Sequence, residues 1–156
     1  MDQKNIGVEK ALQKARHFCS YQERSHFEVK EKLYSFGLYK QEVETLLSRL
    51  IEENYLNEER FAISFAGGRF RIKHWGKVKI RYELKQKRVS EYCIKKALNE
   101  IDTDEYRLTL NKLFDSKVRL LNKEKNKYVL QQKVRTFLTN KGYESGVITE
   151  LIHKMG

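Results

Sequence analysis

Nine basic side chains stand between residues 69 and 88: Arg69, Arg71, Lys73, Lys77, Lys79, Arg81, Lys85, Lys87 and Arg88, opposed only by Glu83. The chemistry open to such a stretch is binding, because its ammonium and guanidinium groups can neutralise the phosphates or carboxylates of a polyanionic partner. Phe65 and Phe70 precede the stretch and His74 and Trp75 lie inside it. Aromatic rings among cations can stack on exposed bases, although for Trp75 the sequence favours a ring that plugs the joint between two helices. On the helix predicted from about Lys77 to Lys87, Lys77 and Arg81 are four apart, as are Arg81 and Lys85. Like charges at that spacing repel mildly. Stability alone gives no reason to gather them, so the pattern favours a polyanion or acidic-protein site over a merely solvated face.

Groups that could react are placed less suggestively. His17 and Cys19 are two apart on a predicted helix and point away from each other. His26, His74 and His153 have no partners at metal-ligand spacing, and Glu52-Glu53 and Glu58-Glu59 read as a helix end and a helix start rather than an acid/base pair. The sequence contains no glycine-rich phosphate loop and no nucleophile elbow. Cys19 and Cys93 form neither a disulfide framework nor a zinc pattern, and Cys93 falls beside an apolar stripe, as a half-buried inert thiol would. The expectation is a protein without catalytic activity, cofactor or metal.

The elements that carry the basic stretch follow from composition and period. The 156 residues include no proline and 8 scattered glycines, with 34% charged and 40% hydrophobic residues. Strand-rich folds need frequent turns, whereas long helices with short joints do not. An internal repeat sharpens this into an architecture. Val29 and Leu33, with Gly37 four further on, recur after 51 residues as Ile80, Leu84 and Arg88, and after another 54 as Val134, Leu138 and Gly142. Val43, Leu46 and Leu47 recur as Ile94, Ala97 and Leu98, and again as Ile148, Leu151 and Ile152; Leu50 and Ile101 extend the first two stripes. Ala11, Leu12 and Ala15 correspond to Ala62, Ile63 and Ala66. Positions at i, i+3, i+4 and i+7 share one helical face. The predicted fold is therefore all-α: three tandem three-helix repeats, residues 1–53, 54–101 and 102–156, forming an elongated, curved body. The third repeat is the loosest, with a first helix over about 104–121 and a polar stretch over 122–127.

Local signals mark the joints. Ser25 with Glu28 is a capping-box pattern, and Asn57 can cap the helix that carries Glu58 and Glu59 at its positive end. Gly37 and Gly142 can take the left-handed backbone that closes a helix, whereas Arg88, at the equivalent place, requires a less comfortable turn or a different ending. Gly67-Gly68 inside a predicted helix should each cost about 1 kcal/mol relative to alanine. Either the helix bends or frays there, or a neighbouring element packs closely.

Charge divides unevenly among the repeats. Residues 1–53 hold 9 basic and 9 acidic side chains, residues 54–101 hold 12 and 5, and residues 102–156 hold 11 and 7, for a net charge of +11. The first ten residues show no basic-then-apolar leader pattern, and no apolar run reaches the ~18 residues needed to span a bilayer. A cytoplasmic monomer with no membrane partner is expected.

Two stretches carry a family resemblance. Residues 55–62, Tyr55-Leu56-Asn57-Glu58-Glu59-Arg60-Phe61-Ala62, resemble the YL-D-D/E-x-R-F-A signature that opens the central unit of RecX proteins. The segment from Trp75 to Lys87 is similar to the family's next helix, G-x-x-x-I-x-x-E-L-x-x-K-G-I, with Glu83-Leu84 and Lys87 matching directly. Arg88-Val89 stands where Gly-Ile is usual, Asn57 where Asp is common, and Gly67-Gly68 replaces bulky or basic residues. The resemblance implies a cytoplasmic regulator of homologous recombination, DNA repair and the SOS response. Such a protein binds the filament of RecA recombinase on single-stranded DNA and inhibits its extension or activity. The nine basic residues are the expected contacts to filament or DNA. The alternative from the residues alone is a stand-alone DNA-binding protein using a helix-turn-helix-like pair; an RNA-binding role is permitted by charge but has no motif.

Overall fold

The six apolar residues that define the repeat, Val29, Leu33, Ile80, Leu84, Val134 and Leu138, all have no solvent exposure. Burying a leucine or isoleucine side chain contributes roughly 1.5–3 kcal/mol, so these pairs fix which face of each helix turns inward. The computed structural model describes residues 4–155. Residues 1–3, the start of the segment read above for a leader pattern, and residue 156 lie outside the described residues.

The described residues form nine helices and no strand: α1 Val8–Tyr21, α2 His26–Ser35, α3 Lys40–Glu52, α4 Glu58–Lys73, α5 Lys77–Gln86, α6 Glu91–Asn99, α7 Thr103–Leu120, α8 Lys127–Lys141 and α9 Ser145–His153. The all-α expectation, three helices to each repeat, holds. The third repeat is as regular as the others: its first helix ends at Leu120, and Asn126 caps the next by accepting from the Val129 N–H at 3.1 Å.

The described residues group into two compact units, residues 4–64 with 84–96, and residues 65–83 with 97–155. Helices α4, α5 and α6 each contribute residues to both. In the first unit α1, α2 and α3 pack on one another around Leu12, Val29, Leu33, Val43, Leu46, Leu50 and Leu56. In the second, α8 packs against both α7 and α9, and Phe70, Tyr106 and Tyr143 form a chain of tilted aromatic pairs with centroids 5.7 and 5.2 Å apart.

The caps follow the sequence with one difference. The Asn57 side chain accepts from the Arg60 N–H at 2.9 Å. Ser25 accepts from the Glu28 N–H at 3.0 Å, but its hydroxyl also donates to the Glu28 carboxylate at 3.2 Å. That carboxylate also lies 4.0 Å from Arg24 and 3.6 Å from Lys87. Helix α4 runs unbroken through Gly67-Gly68, so it does not fray there. The nearest atoms to a methyl group at Gly67 would be the Arg71 guanidinium, at 2.7 Å, and at Gly68 nothing lies within 4 Å.

The three equivalent helix ends adopt one conformation. Gly37, Arg88 and Gly142 have φ of 83°, 60° and 98°, so Arg88 takes the left-handed turn despite its side chain. The bonds match: Val89 N–H donates to the Leu84 carbonyl at 3.1 Å, as Tyr143 N–H does to Leu138 at 3.2 Å. A left-handed residue other than glycine costs roughly 1–2 kcal/mol, offset in part by the Arg88 guanidinium lying 4.7 Å over the Phe27 ring. Arg88→Gly is therefore expected to raise stability by about 0.5 kcal/mol once glycine's extra unfolded-state entropy is counted. Denaturant unfolding checks this; a loss above ~1 kcal/mol would mean that the Phe27 contact outweighs the backbone relief.

Candidate functional site

The turn between α4 and α5, residues 74–76, is where the basic stretch takes on a definite geometry. His74 adopts φ 58°, and Trp75 donates its N–H to the Arg69 carbonyl at 3.3 Å, folding the chain back over the last turn of α4. The indole then lies among three cations: Lys79 Nζ is 4.6 Å, Arg69 5.6 Å and Lys73 5.9 Å from its centroid. Arg69 also covers the Phe65 ring at 4.6 Å. Among the described residues, no carboxylate lies within 4.0 Å of Arg69, Lys73 or Lys79. Trp75 is half-buried, and its indole serves as a floor for the cations.

The magnitudes say what this grouping is for. Each cation over the ring contributes about 0.5–1 kcal/mol at a partly exposed site. Cations some 8–10 Å apart in water repel by roughly 0.4–0.5 kcal/mol per pair, so the cluster adds little to folding. An anion at the same place would meet all three charges without having to break an internal ion pair.

A second set of residues anchors the turn to the end of α8. Gly76 donates its N–H to the Lys141 carbonyl at 2.8 Å, and Val78 donates to the Gly142 carbonyl at 2.9 Å. The two backbones touch so closely that a methyl group on Gly76 would overlap the Gly142 carbonyl, and one on Gly142 would overlap Lys79. The Tyr143 hydroxyl donates to the His74 carbonyl at 2.9 Å, and Lys141 Nζ donates to the Lys73 carbonyl at 3.2 Å. Lys141 thereby adds a further cation to the turn. It stands outside the basic stretch, 68 positions from Lys73, although the repeat puts it at the place equivalent to Lys87.

Tyr106 completes the anchor. Its hydroxyl accepts from the Lys77 N–H at 2.9 Å and donates to the Glu144 carboxylate at 2.5 Å. Burial, then the bond to Glu144, hold this phenol far above its ordinary range, so it stays protonated and keeps donating. Burial likewise raises Tyr143. Lys77 Nζ lies 5.0 Å from the Tyr106 ring, a contact that joins residues 29 positions apart.

The remaining members of the nine are placed differently. Lys85 lies 4.0 Å from Glu91, Lys87 lies 3.6 Å from Glu28, and Arg88 lies on Phe27. These belong to the first unit and spend their charge on local partners. Arg71 is exposed beside Gly67, and Arg81 is half-buried. Val78, although apolar, is 52% exposed. It is the second residue of the helix, and at two positions before Ile80 it falls on nearly the opposite side from the buried Ile80–Leu84 face.

The cysteines offer no chemistry at this site. Cys19 is buried and its thiol is pushed up to about 11 by desolvation, and Cys93 is also buried, its sulfur 3.8 Å from a Glu58 carboxylate oxygen. No helix among the described residues is long and apolar enough to cross a membrane.

Comparison with known proteins identifies relatives with the same fold. A family model described as the second three-helix domain of RecX matches residues 57–98, the segment that holds α4, the Trp75 turn and α5. Regulatory protein RecX of Prosthecochloris aestuarii is 31% identical over 146 residues, covering 94% of this chain and 93% of that one. Regulatory protein RecX of Clostridium perfringens strain 13 is 33% identical over 129 residues, and this match spans 60% of that relative's length. The crystal structure of RecX from Lactobacillus salivarius superposes with a TM-score of 0.85 at 20% identity, covering 94% of this chain and 95% of that one. A second crystal structure, of a regulatory protein RecX, gives a TM-score of 0.83 at 25% identity over 94% of this chain and 71% of that one. With repeat pattern, helix order and sequence likeness in agreement, the chain belongs to the RecX family of regulatory proteins.

Proposed function

We propose that this chain regulates homologous recombination and DNA repair by binding the RecA–single-stranded DNA filament and inhibiting its extension or activity. The observation that carries the reading is the Trp75 turn, where Arg69, Lys73 and Lys79 surround one ring with no carboxylate within 4.0 Å among the described residues. Such a group suits the phosphates of a strand held in a filament. Arg71, Lys77, Arg81, Lys85, Lys87 and Arg88 contribute to the positive field around the same stretch of sequence rather than to individual contacts. The protein acts by binding, as a cytoplasmic monomer without a catalytic step, through three repeats bounded at residues 53/54 and 101/102. The family model for a second three-helix domain supports the central repeat.

The purified chain should lower ATP hydrolysis and strand exchange by RecA on single-stranded DNA. Unchanged rates at saturating chain would reject filament regulation. Tight, sequence-dependent binding to duplex DNA without recombinase would favour the helix-turn-helix alternative, and weak, salt-sensitive binding would oppose it.

A further inference from the structure

The first repeat holds a cleft between α1 and α2 that the filament reading does not use. Phe18 and Phe36 form its floor, and Gln13, Lys14, His17 and Lys32 its rim. Both rings are only half-buried, while Gln13, Lys14, His17 and Lys32 are exposed. Cations stand over both rings: Lys14 Nζ is 5.7 Å and Lys32 Nζ 5.8 Å from the Phe36 centroid, and Lys32 is also 5.2 Å from Phe18. Arg24 covers Phe18 more closely, at 3.7 Å, and donates from Nε to the Phe18 carbonyl at 3.0 Å.

A cleft of similar form lies between α7 and α8, and the comparison separates a satisfied site from an unsatisfied one. There Lys117 lies 4.8 Å over Phe137, while Lys133 on the opposite side already pairs with Glu124 at 3.2 Å. In the first cleft neither Lys14 nor Lys32 has a carboxylate within 4.0 Å among the described residues. Two exposed lysines thus flank an aromatic floor, and their charges remain unanswered.

We propose that the Phe18–Phe36 cleft is a docking site for an acidic protein segment that seats one apolar or aromatic side chain on the two rings and places carboxylates against Lys14 and Lys32. Charge selects this occupant over nucleic acid. Residues 1–53 hold equal numbers of basic and acidic side chains, so no extended positive field draws a polyanion to this repeat. A peptide needs only the two local charges and the apolar floor, an arrangement of anchor and polar rim common to protein interfaces.

The test uses the full chain labelled with nitrogen-15 and a short synthetic peptide with one phenylalanine flanked by aspartates and glutamates. Amide shifts should concentrate on residues 13–18 and 32–36. The paired charge reversal Lys14→Glu and Lys32→Glu, on exposed positions that leave the core intact, should weaken binding by about tenfold or more, and replacing the peptide's phenylalanine by alanine should weaken it comparably. Shifts centred on residues 69–79, or affinity unchanged by the reversal, would overturn the proposal. So would a single-stranded oligonucleotide that shifts residues 13–18 and 32–36 as strongly as the peptide. Because the filament reading rests on residues 69–79, either result leaves that reading to its own test.

Discussion

Replacing Arg69, Lys73 and Lys79 together by glutamine should weaken binding to RecA–single-stranded DNA filaments by roughly ten- to a hundredfold while leaving the fold in place. Each cation contributes about 0.5–1 kcal/mol of interaction with phosphate or carboxylate at a partly exposed site. The three lie around Trp75 at 4.6–5.9 Å from its centroid, and substitution removes their contacts with the ring but relieves their mutual repulsion, so stability should fall by no more than about 1.5 kcal/mol. The salt dependence should change with the affinity. Each lost single-strand phosphate contact removes about 0.7 from the log–log slope, so three lost contacts flatten it by about two. A matched triple substitution of Arg71, Lys85 and Lys87 by glutamine should have the smaller effect, because Lys85 and Lys87 already lie near Glu91 and Glu28. Equal losses from the two variants would show that overall charge, rather than the Trp75 turn, sets binding.

Gly142→Ala should be the most damaging single methyl group in the chain. Gly142 has φ 98°, and its missing Cβ is the space that Lys79 occupies. Strained backbone costs roughly 1–3 kcal/mol and the overlap a similar amount, giving an expected loss of about 3 kcal/mol. For a chain of this length that is a fall of about 6–12 °C in Tm, read by circular dichroism. The comparison variant is Gly68→Ala, in the interior of α4 with nothing within 4 Å of the added methyl, which should gain up to about 1 kcal/mol in helix propensity. If both alanines cost the same, the close approach of the Gly76 and Gly142 backbones does not hold the turn. Should Gly142→Ala also weaken filament binding, the α8 anchor positions the cations as well as stabilising the fold.

Much of this was legible in the sequence because burial leaves a periodic trace. The pairs Val29–Leu33, Ile80–Leu84 and Val134–Leu138 gave both the helices and their inward faces, and all six are fully buried. The caps at Ser25 and Asn57 were legible because their chemistry is local, spanning three residues. Arg88 announced its strain by occupying a glycine's place. The docking of Gly76 on Gly142 left no trace, since two backbones 66 positions apart meet through atoms that every residue shares. For the same reason nothing in the sequence marks Tyr106, although its hydroxyl links the Lys77 N–H to Glu144. Within the basic stretch the sequence supplied nine cations but could not sort them. Sorting depends on acids such as Glu28 that are remote in the chain and near Lys87 in space.

Co-sedimentation of the purified chain with preformed RecA–single-stranded DNA filaments separates filament binding from DNA binding. Filament regulation requires that the chain pellets with filaments at physiological salt, reaches a fixed ratio to recombinase, and stays in the supernatant with DNA alone. A chain that remains in the supernatant with filaments, or that pellets equally with DNA lacking recombinase, would contradict it.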